Sequence, residues 1–249
     1  MLNRLFTLLL PARPIAQDLP DKGGSNSASP PAFRISGRNV GARVTGDPPL
    51  RKSDSRHQQL IGLALENLHA AARRSSVSDM TAAAIDLNRV ACNAGKAPQQ
   101  LLNAPDPSGG HLLDQVALAR HDVRAKVDLL VSIGCNLHAT NLAGDNGLHA
   151  AARQNNSVLV DTLAMRARPL LTQATGRIQT YSHATPLAVA IVAGHATVVK
   201  QLVLLGSNLS AVCCLDSDRQ PLNPQQLYAR LDHRTPEMSA VLRHARTPR

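Results

Sequence analysis

The sequence predicts an all-helical protein in which about five similar helix-turn-helix units follow an N-terminal tail. One observation is a repeated phrase, because LHAAAR occurs at residues 68–73 and again at residues 148–153, and identical neighbours impose identical packing demands. A second observation is the composition, with 43% hydrophobic residues but only two Phe, two Tyr and no Trp. A core of Ala, Leu and Val suits close packing of helix on helix.

The first 56 residues are predicted to form a flexible basic tail. They contain Gly, Ser and Pro at short intervals, including the run GGSNSASPP, and too little apolar surface to offset the entropy of ordering. The apolar run in MLNRLFTLLL is shorter than the ~7–15 residues of a secretory core and is stopped by Pro11, so a cleaved export signal is not expected. The predicted division is therefore a disordered tail over residues 1–56 and a repeat domain over residues 57–249.

The charge of the chain is strongly positive, with a net charge of +10. Such an excess indicates nucleic acid, a lipid surface or an acidic protein as partner. Half of the excess lies in residues 1–56, so the region predicted to fold is only mildly basic. Because few aromatic side chains are available to stack on bases, nucleic-acid binding is not expected. No stretch approaches the ~20 apolar residues of a membrane span, so a membrane partner is not expected either.

The clearest unit is ATPLAVAIVAGHATVVKQLVLLGSNL at residues 184–209. Thr185 is expected to cap the first helix, and Pro186 suits the first helical position because it lacks the N–H that would be unpaired there. Gly194 allows a tight turn to a second apolar helix. Gly206 lies where helices commonly end in a left-handed conformation that glycine adopts at little cost.

This unit resembles the ankyrin repeat, in which T-P-L-H-x-A opens a first helix, G-H marks the turn and a Gly ends the second helix. The positions that carry the resemblance are Thr185, Pro186, Leu187, Ala190, Gly194, His195, Val198, Val199, Leu202, Gly206 and Leu209. Residues 141–167 match the same pattern through Leu148 and His149, with Asn146 and Gly147 where Thr-Pro is expected. The resemblance implies an ankyrin-repeat solenoid over roughly residues 65–245.

Three further units follow from the same pattern. The leading leucines of the five units are Leu68, Leu113, Leu148, Leu187 and Leu222. Their spacing exceeds the ~33-residue ankyrin period, which predicts insertions in the loops, most visibly over residues 174–183. The resemblance also implies that His69, His149 and His195 form hydrogen bonds to neighbouring turns.

No catalytic, metal or cofactor motif is found. The sequence lacks H-E-x-x-H, C-x-x-C, G-x-x-x-x-G-K-[ST] and G-x-S-x-G, so we expect no catalytic residues, no metal site and no cofactor. The four cysteines are expected to be reduced thiols that pack as small hydrophobic side chains. A Cys–His nucleophile pair that is close only in space stays open as an alternative.

A solenoid of stacked units exposes a concave face lined by the turns and the first helices, where binding residues are expected. The segments before the first helices are residues 106–111, 141–146, 177–183 and 216–220. The candidate partner-binding residues in them are His111, Asp145, Arg177, Tyr181, His183, Asp218 and Arg219. Tyr and Arg are over-represented among residues that dominate binding energy, although Tyr181 could instead only cover an enlarged loop.

These features predict a monomeric, non-enzymatic module that binds another protein. The Ser/Pro/Arg-rich N-terminus without a cleavable signal resembles those of effector proteins that bacteria inject into host cells by type III secretion, which implies a virulence role inside a host cell. Three alternatives stay open: an effector enzyme with an unrecognised Cys/His site, a cytoplasmic ankyrin regulator that binds nucleic acid through basic residues, and an N-terminal organelle or membrane-targeting segment.

Overall fold

The computed structural model describes residues 52–106, 108–232 and 234–244, most of which are helical. The tail predicted for residues 1–56 lies outside the described residues, except for residues 52–56, which belong to the first helix. The helices are α1 Lys52–Arg74, α2 Val77–Asn93, α3 Pro98–Leu102, α4 Leu112–Ala117, α5 Val123–Ser132, α6 Gly147–Arg153, α7 Ser157–Arg166, α8 Pro186–Val192, α9 Ala196–Leu204, α10 Pro224–Ala229 and α11 Pro236–His244. No described helix is both long enough and apolar enough to cross a lipid bilayer.

The helices stack in two rows. The first row consists of α1, α4, α6, α8 and α10, and each helix contacts the next one in the row. The second row consists of α2, α5, α7, α9 and α11, again with each helix against the next. Successive helices such as α6 and α7 also pack on each other across the rows. Each helix pair therefore buries its apolar surface between the pairs before and after it.

A small antiparallel sheet accompanies the helices, and the all-helical prediction missed it. The strands are β1 Gly176–Ile178, β2 Tyr181–Ala184, β3 Cys214–Leu215 and β4 Pro221–Leu222, in the order β1-β2-β3-β4. The β1–β2 hairpin falls in the loop that was predicted to be enlarged, between α7 and α8, and the β3–β4 hairpin lies between α9 and α10. These strands are two to four residues long, which is too short for an alternating apolar pattern to reveal them.

Small side chains allow the first-row helices to approach closely. All seven residues of α8 are buried, and in α6 only Arg153 is partly exposed. Gly147 stands where the ankyrin pattern has Pro, and a Cβ added there would lie 2.9 Å from the Cβ of Leu113 in α4. Contacts this short between carbon atoms do not occur in proteins, so the departure from the pattern permits the packing of α6 on α4.

The predicted helix signals are confirmed in the two clearest units. The Asn146 Oδ1 atom accepts hydrogen bonds from the backbone N–H groups of Leu148 and His149, at 2.9 and 3.1 Å. Thr185 Oγ1 accepts from Ala188 N–H at 3.3 Å, and Pro186 occupies the first position of α8. The predicted turn and stop glycines, Gly194 and Gly206, have φ values of 78° and 109°. Both lie in the left-handed region that favours glycine.

The first and last units begin elsewhere than predicted. Leu68 and His69 lie near the C-terminal end of α1, because the buried positions Ile61 and Ala64 continue the helical spacing back toward Lys52. In the last unit, Leu222 lies in β4 and not in a helix. Helix α10 starts two residues later, where Asn223 Oδ1 caps it by accepting from Gln226 N–H at 2.8 Å.

A buried lysine joins the first two helix pairs. The Lys126 side chain in α5 is only 2% exposed, and its Nζ donates a hydrogen bond to the Ala72 carbonyl oxygen at 3.1 Å. Ala72 lies in the last turn of α1, where carbonyl groups have no partner within the helix and attract a cation. Burial lowers the pKa of Lys126 from its ordinary value. No pattern in the sequence distinguishes this lysine from an exposed one.

Leu68→Ala is expected to lower the free energy of unfolding by about 2–5 kcal/mol, because it leaves a cavity where the Leu68 side chain is fully buried. The matched control is Leu63→Ala on the same helix, where the side chain is 57% exposed and the change should stay within about 0.5 kcal/mol. Urea unfolding followed by circular dichroism measures both. Equal effects of the two substitutions would contradict the burial of this face of α1.

Candidate functional site

The same turn precedes three of the first-row helices. In each case an Asp or Asn side-chain Oδ1 accepts a hydrogen bond from the backbone N–H four residues later. The pairs are Asp106 with Gly110 at 2.8 Å, Asn141 with Asp145 at 3.0 Å, and Asp216 with Gln220 at 2.8 Å. The fourth residue of each turn has a left-handed backbone: Gly109 and Gly144, with φ values of 84° and 82°, and Arg219, with 59°. The recurring Asp/Asn side chain closes each turn without help from another segment.

Close contacts hold the two hairpins against the neighbouring turns. A Cβ added to Gly144 would lie 2.5 Å from the Thr175 carbonyl oxygen, and one added to Gly176 would lie 2.6 Å from Asp145 Oδ1. The β1–β2 hairpin is therefore packed directly against the Asn141 turn. On its other side, β2 pairs with β3 at Ser182 and Leu215. The two hairpins thus form one continuous edge of the molecule.

A cavity of about 500 Å³ opens between these hairpins and the Asn141 turn. We call it the hairpin groove. Its lining residues are Ala143, Thr175, Gly176, Arg177, Ser182, His183, Leu215 and Arg219. None of these residues is acidic, and two of them are arginines, so the groove is a site of positive charge.

The structure brings three of the predicted binding residues together at this groove. Arg177 comes from β1, His183 from β2 and Arg219 from the turn between β3 and β4, and all three are exposed. Asp218 is also exposed, beside Arg219, and its backbone N–H donates to Asp216 Oδ1 at 3.0 Å. Tyr181 is half-buried in β2 and does not line the groove, although it belongs to the same hairpin.

Two predicted binding residues are buried. His111 and Asp145 are each 1% exposed. The carboxylate of Asp145 forms an ion pair with Arg153 at 2.5 Å and packs against Gly176, which explains its burial beside β1. His111 precedes α4, and its backbone N–H donates to Asp114 Oδ2 at 2.8 Å. Both side chains are enclosed by the protein itself, so neither belongs to the exposed surface of the groove.

The signature histidines connect neighbouring units in two cases out of three. His149 Nδ1 accepts from the Asn146 N–H at 3.3 Å, so its Nε2 carries the proton and donates to the Ala184 carbonyl oxygen at 2.8 Å. His195 Nε2 lies 3.0 Å from the Arg153 carbonyl oxygen. The predicted bonds are therefore confirmed for His149 and His195. Among the described residues the His69 ring has no hydrogen bond, because its Nδ1 approaches Asp106 Oδ2 only at 3.4 Å without hydrogen-bond geometry.

A second cavity, of about 730 Å³, lies beside α1 and holds His69 in its wall. Apolar residues make up much of the rest of the wall, among them Leu65, Leu101 and Pro105. The buried His111 lies beside the half-buried His69, Asp106 and Asp114, and neither nitrogen of the His111 ring has a hydrogen-bond partner. Burial lowers the pKa of both histidines, and it raises the pKa of Asp114. Sequence spacing did not indicate this cluster, since its members come from separate segments.

The cysteines are free thiols, as predicted. Cys135, Cys213 and Cys214 are buried and Cys92 is exposed. Burial raises the pKa of Cys135 to about 12, so this thiol stays protonated at neutral pH. In the part of the chain that the structure describes, no three His, Cys, Asp or Glu side chains are grouped so that they could hold a metal ion.

No protein-family model matches the chain, and no curated protein matches it. The turns, the hairpins and the groove are therefore interpreted from their own geometry.

Acidification is expected to destabilise the protein through His149. Burial holds the pKa of His149 below its ordinary 6.5. As the pH falls below 6.5, the imidazole is therefore protonated in the unfolded chain before it is protonated in the folded protein. The stability that neutral His149 contributes is present above pH 6.5 and is lost below it. Urea unfolding at a series of pH values should give a free energy of unfolding that declines between about pH 7 and pH 5.

His149→Gln should lower the stability at pH 7 by about 1–3 kcal/mol, because it disturbs two buried hydrogen bonds, and should make the decline with acid shallower. His121→Gln is the matched control, because the His121 side chain is exposed and should leave both the stability and the decline unchanged. An unchanged acid response in His149→Gln would contradict the assignment to His149.

Proposed function

We propose that this chain is an ankyrin-repeat scaffold that binds a protein partner through its turns and first-row helices. The observation that carries the proposal is the stacking of helix pairs in two rows, with the same side-chain-closed turn before three first-row helices. The cap at Thr185, the glycine stop at Gly206 and the bridging bonds of His149 and His195 agree with the ankyrin pattern. Such scaffolds present an extended surface built from equivalent positions of successive units.

The partner surface we propose includes an exposed apolar side chain that the sequence pattern did not single out. Leu142 is 77% exposed at the tip of the Asn141 turn, and its backbone N–H donates to the Gly109 carbonyl oxygen at 3.0 Å. Leu142 therefore stands between two successive turns on a fixed backbone. Next to it, Ala143 lines the hairpin groove. The buried core of a protein interface is more apolar than its polar rim, so Leu142 is a candidate contact for the partner.

We also propose that the protein acts inside a host cell as a bacterial effector delivered by type III secretion. This proposal depends on residues 1–56, whose basic, Ser/Pro-rich composition resembles that of such effectors. Delivery of an interaction module would let the protein act by occupying a host protein, which requires no catalytic centre of its own.

Capture from a eukaryotic cell lysate on the immobilised full chain tests the binding surface. The double variant Leu142→Ala, Tyr181→Ala is expected to lose most of the captured partner, since removal of binding-centre side chains typically costs about 2 kcal/mol or more each. Quantitative mass spectrometry measures the partner that is retained. Both arginines of the hairpin groove stay in place in this variant.

The control for that experiment is the double variant Leu204→Ala, Met165→Ala. These side chains are 77% and 75% exposed, which matches Leu142, but they belong to the second-row helices α9 and α7. The control should retain the partner at the level of the unmodified chain. If both variants lose it equally, or neither does, the partner does not bind through the turns.

Secretion is tested with a translocation reporter fused to residues 1–56. We expect the fusion to enter host cells from a bacterium with a working type III system and to stay in the bacterium when that system is inactivated. Reporter fused to residues 57–249 is the control and should not be delivered. Delivery that is independent of the system would contradict the proposed route.

A further inference from the structure

We propose that the hairpin groove binds an acidic segment of the partner protein by pairing Arg177 and Arg219 with carboxylates. This inference rests on the proposed function and specifies the chemistry of its partner. The two guanidinium groups come from separate hairpins and line the same cavity of about 500 Å³. Guanidinium groups are suited to carboxylates because their parallel N–H donors match the two carboxylate oxygens.

Two of the protein's own carboxylates near the groove already have partners. Asp145 is buried and pairs with Arg153 at 2.5 Å, and Asp216 is paired with Arg230. Within the described residues, neither Arg177 nor Arg219 forms an ion pair with another side chain. Both arginines are therefore available to a ligand, and exposed Asp218 beside Arg219 offsets one of the two positive charges.

The backbone at Arg219 gives a second, independent reason to regard the groove as a site. Arg219 has a φ of 59°, and the equivalent residues of the two related turns are Gly109 and Gly144. Side chains other than glycine disfavour this left-handed conformation. Arg219 therefore occupies a position where glycine would be less strained. Backbone strain of this kind is concentrated at functional sites. His183 in the same groove is also left-handed, with a φ of 49°.

The rest of the lining suits a peptide better than a nucleic acid. Ser182 and His183 can donate hydrogen bonds, and Leu215 and Ala143 offer apolar contact to the methylene groups of Glu or Asp side chains. No Phe, Tyr or Trp lines the groove, so bases would find no ring to stack on. The neighbouring turns at residues 106–111 and 141–146 contain no Lys or Arg, so the positive charge does not continue as a track for a phosphate backbone.

Fluorescence anisotropy with a labelled oligoglutamate peptide and the full chain tests the proposal. The double variant Arg177→Ala, Arg219→Gly should bind the peptide about tenfold more weakly or worse, since it removes two charge-assisted pairs. Glycine is chosen at position 219 because the related turns carry it there, so the variant should fold at least as well as the unmodified chain. Circular dichroism and urea unfolding verify this.

The matched control is Arg120→Ala, Lys200→Ala, which removes the same charge from exposed side chains away from the groove. This control should bind oligoglutamate nearly as well as the unmodified chain. A third variant, Arg177→Lys, Arg219→Lys, keeps the charge without the paired donors and should fall between the other two. The proposal is overturned if the control weakens binding as much as the groove variant, since the binding then follows net charge alone. It is also overturned if labelled oligothymidylate binds the groove more tightly than oligoglutamate.

The outcome is separable from that of the proposed function. If the Leu142 and Tyr181 variant loses the captured partner but the groove variant retains it, the turn surface binds a partner without the acidic segment, and only the groove inference fails. If the groove variant loses oligoglutamate binding while the Leu142 and Tyr181 variant still captures the partner, the groove is an anion site and the proposed partner surface is wrong.

Discussion

Burial of α6 and α8 on nearly every side is the constraint on which the rest of the structure depends. These two helices have neighbours before them, after them and across the rows, which leaves little room for polar side chains, and α8 accordingly contains only Pro, Leu, Ala, Val and Ile. In α6 the one polar side chain that is fully enclosed, His149, is satisfied at both ring nitrogens. None of the buried hydrophobic side chains among the described residues is Phe, Tyr or Trp, which agrees with the close spacing of the helices.

Because of this burial, the exposed polar side chains around α6 and α8 lie in the turns and hairpins. Since α6 and α8 are enclosed, the exposed Arg177, His183 and Arg219 come from the hairpins that precede α8 and α10. Their position depends on the Asn141 turn, against which Gly144 and Gly176 allow the β1–β2 hairpin to pack without a side chain in the way. The positions of the groove side chains therefore depend on close packing at Gly144 and Gly176 and on the buried Asp145.

How much of the structure the sequence predicts depends on how far apart in the chain the interacting residues lie. Caps and stops such as Asn146, Thr185 and Gly206 are local, so their structural roles were predictable residue by residue. The helix that contains Leu68 was predictable, but its start was not, because residues 52–67 lack a capping or breaking signal strong enough to mark it. Burial of His111, Asp145 and Lys126 depends on contacts between units, which no local pattern encodes. The Asp/Asn-x-x-Gly spacing at residues 106–109 and 141–144 was the available signal for the turns.

The pairing of β2 with β3 changes how the stacked units are coupled. In a stack of units, cooperativity comes from the interface between nearest neighbours, and most such interfaces consist of side-chain packing alone. Here backbone hydrogen bonds also cross the interface between the units of α8 and α10, since the Thr185 N–H donates to the Cys213 carbonyl oxygen at 2.8 Å beside the strand pair of Ser182 and Leu215. The units around α8 and α10 are consequently joined by backbone as well as side-chain contacts, so separating them breaks strand pairing and not only packing. A ligand held between the two hairpins would contact both sides of this junction.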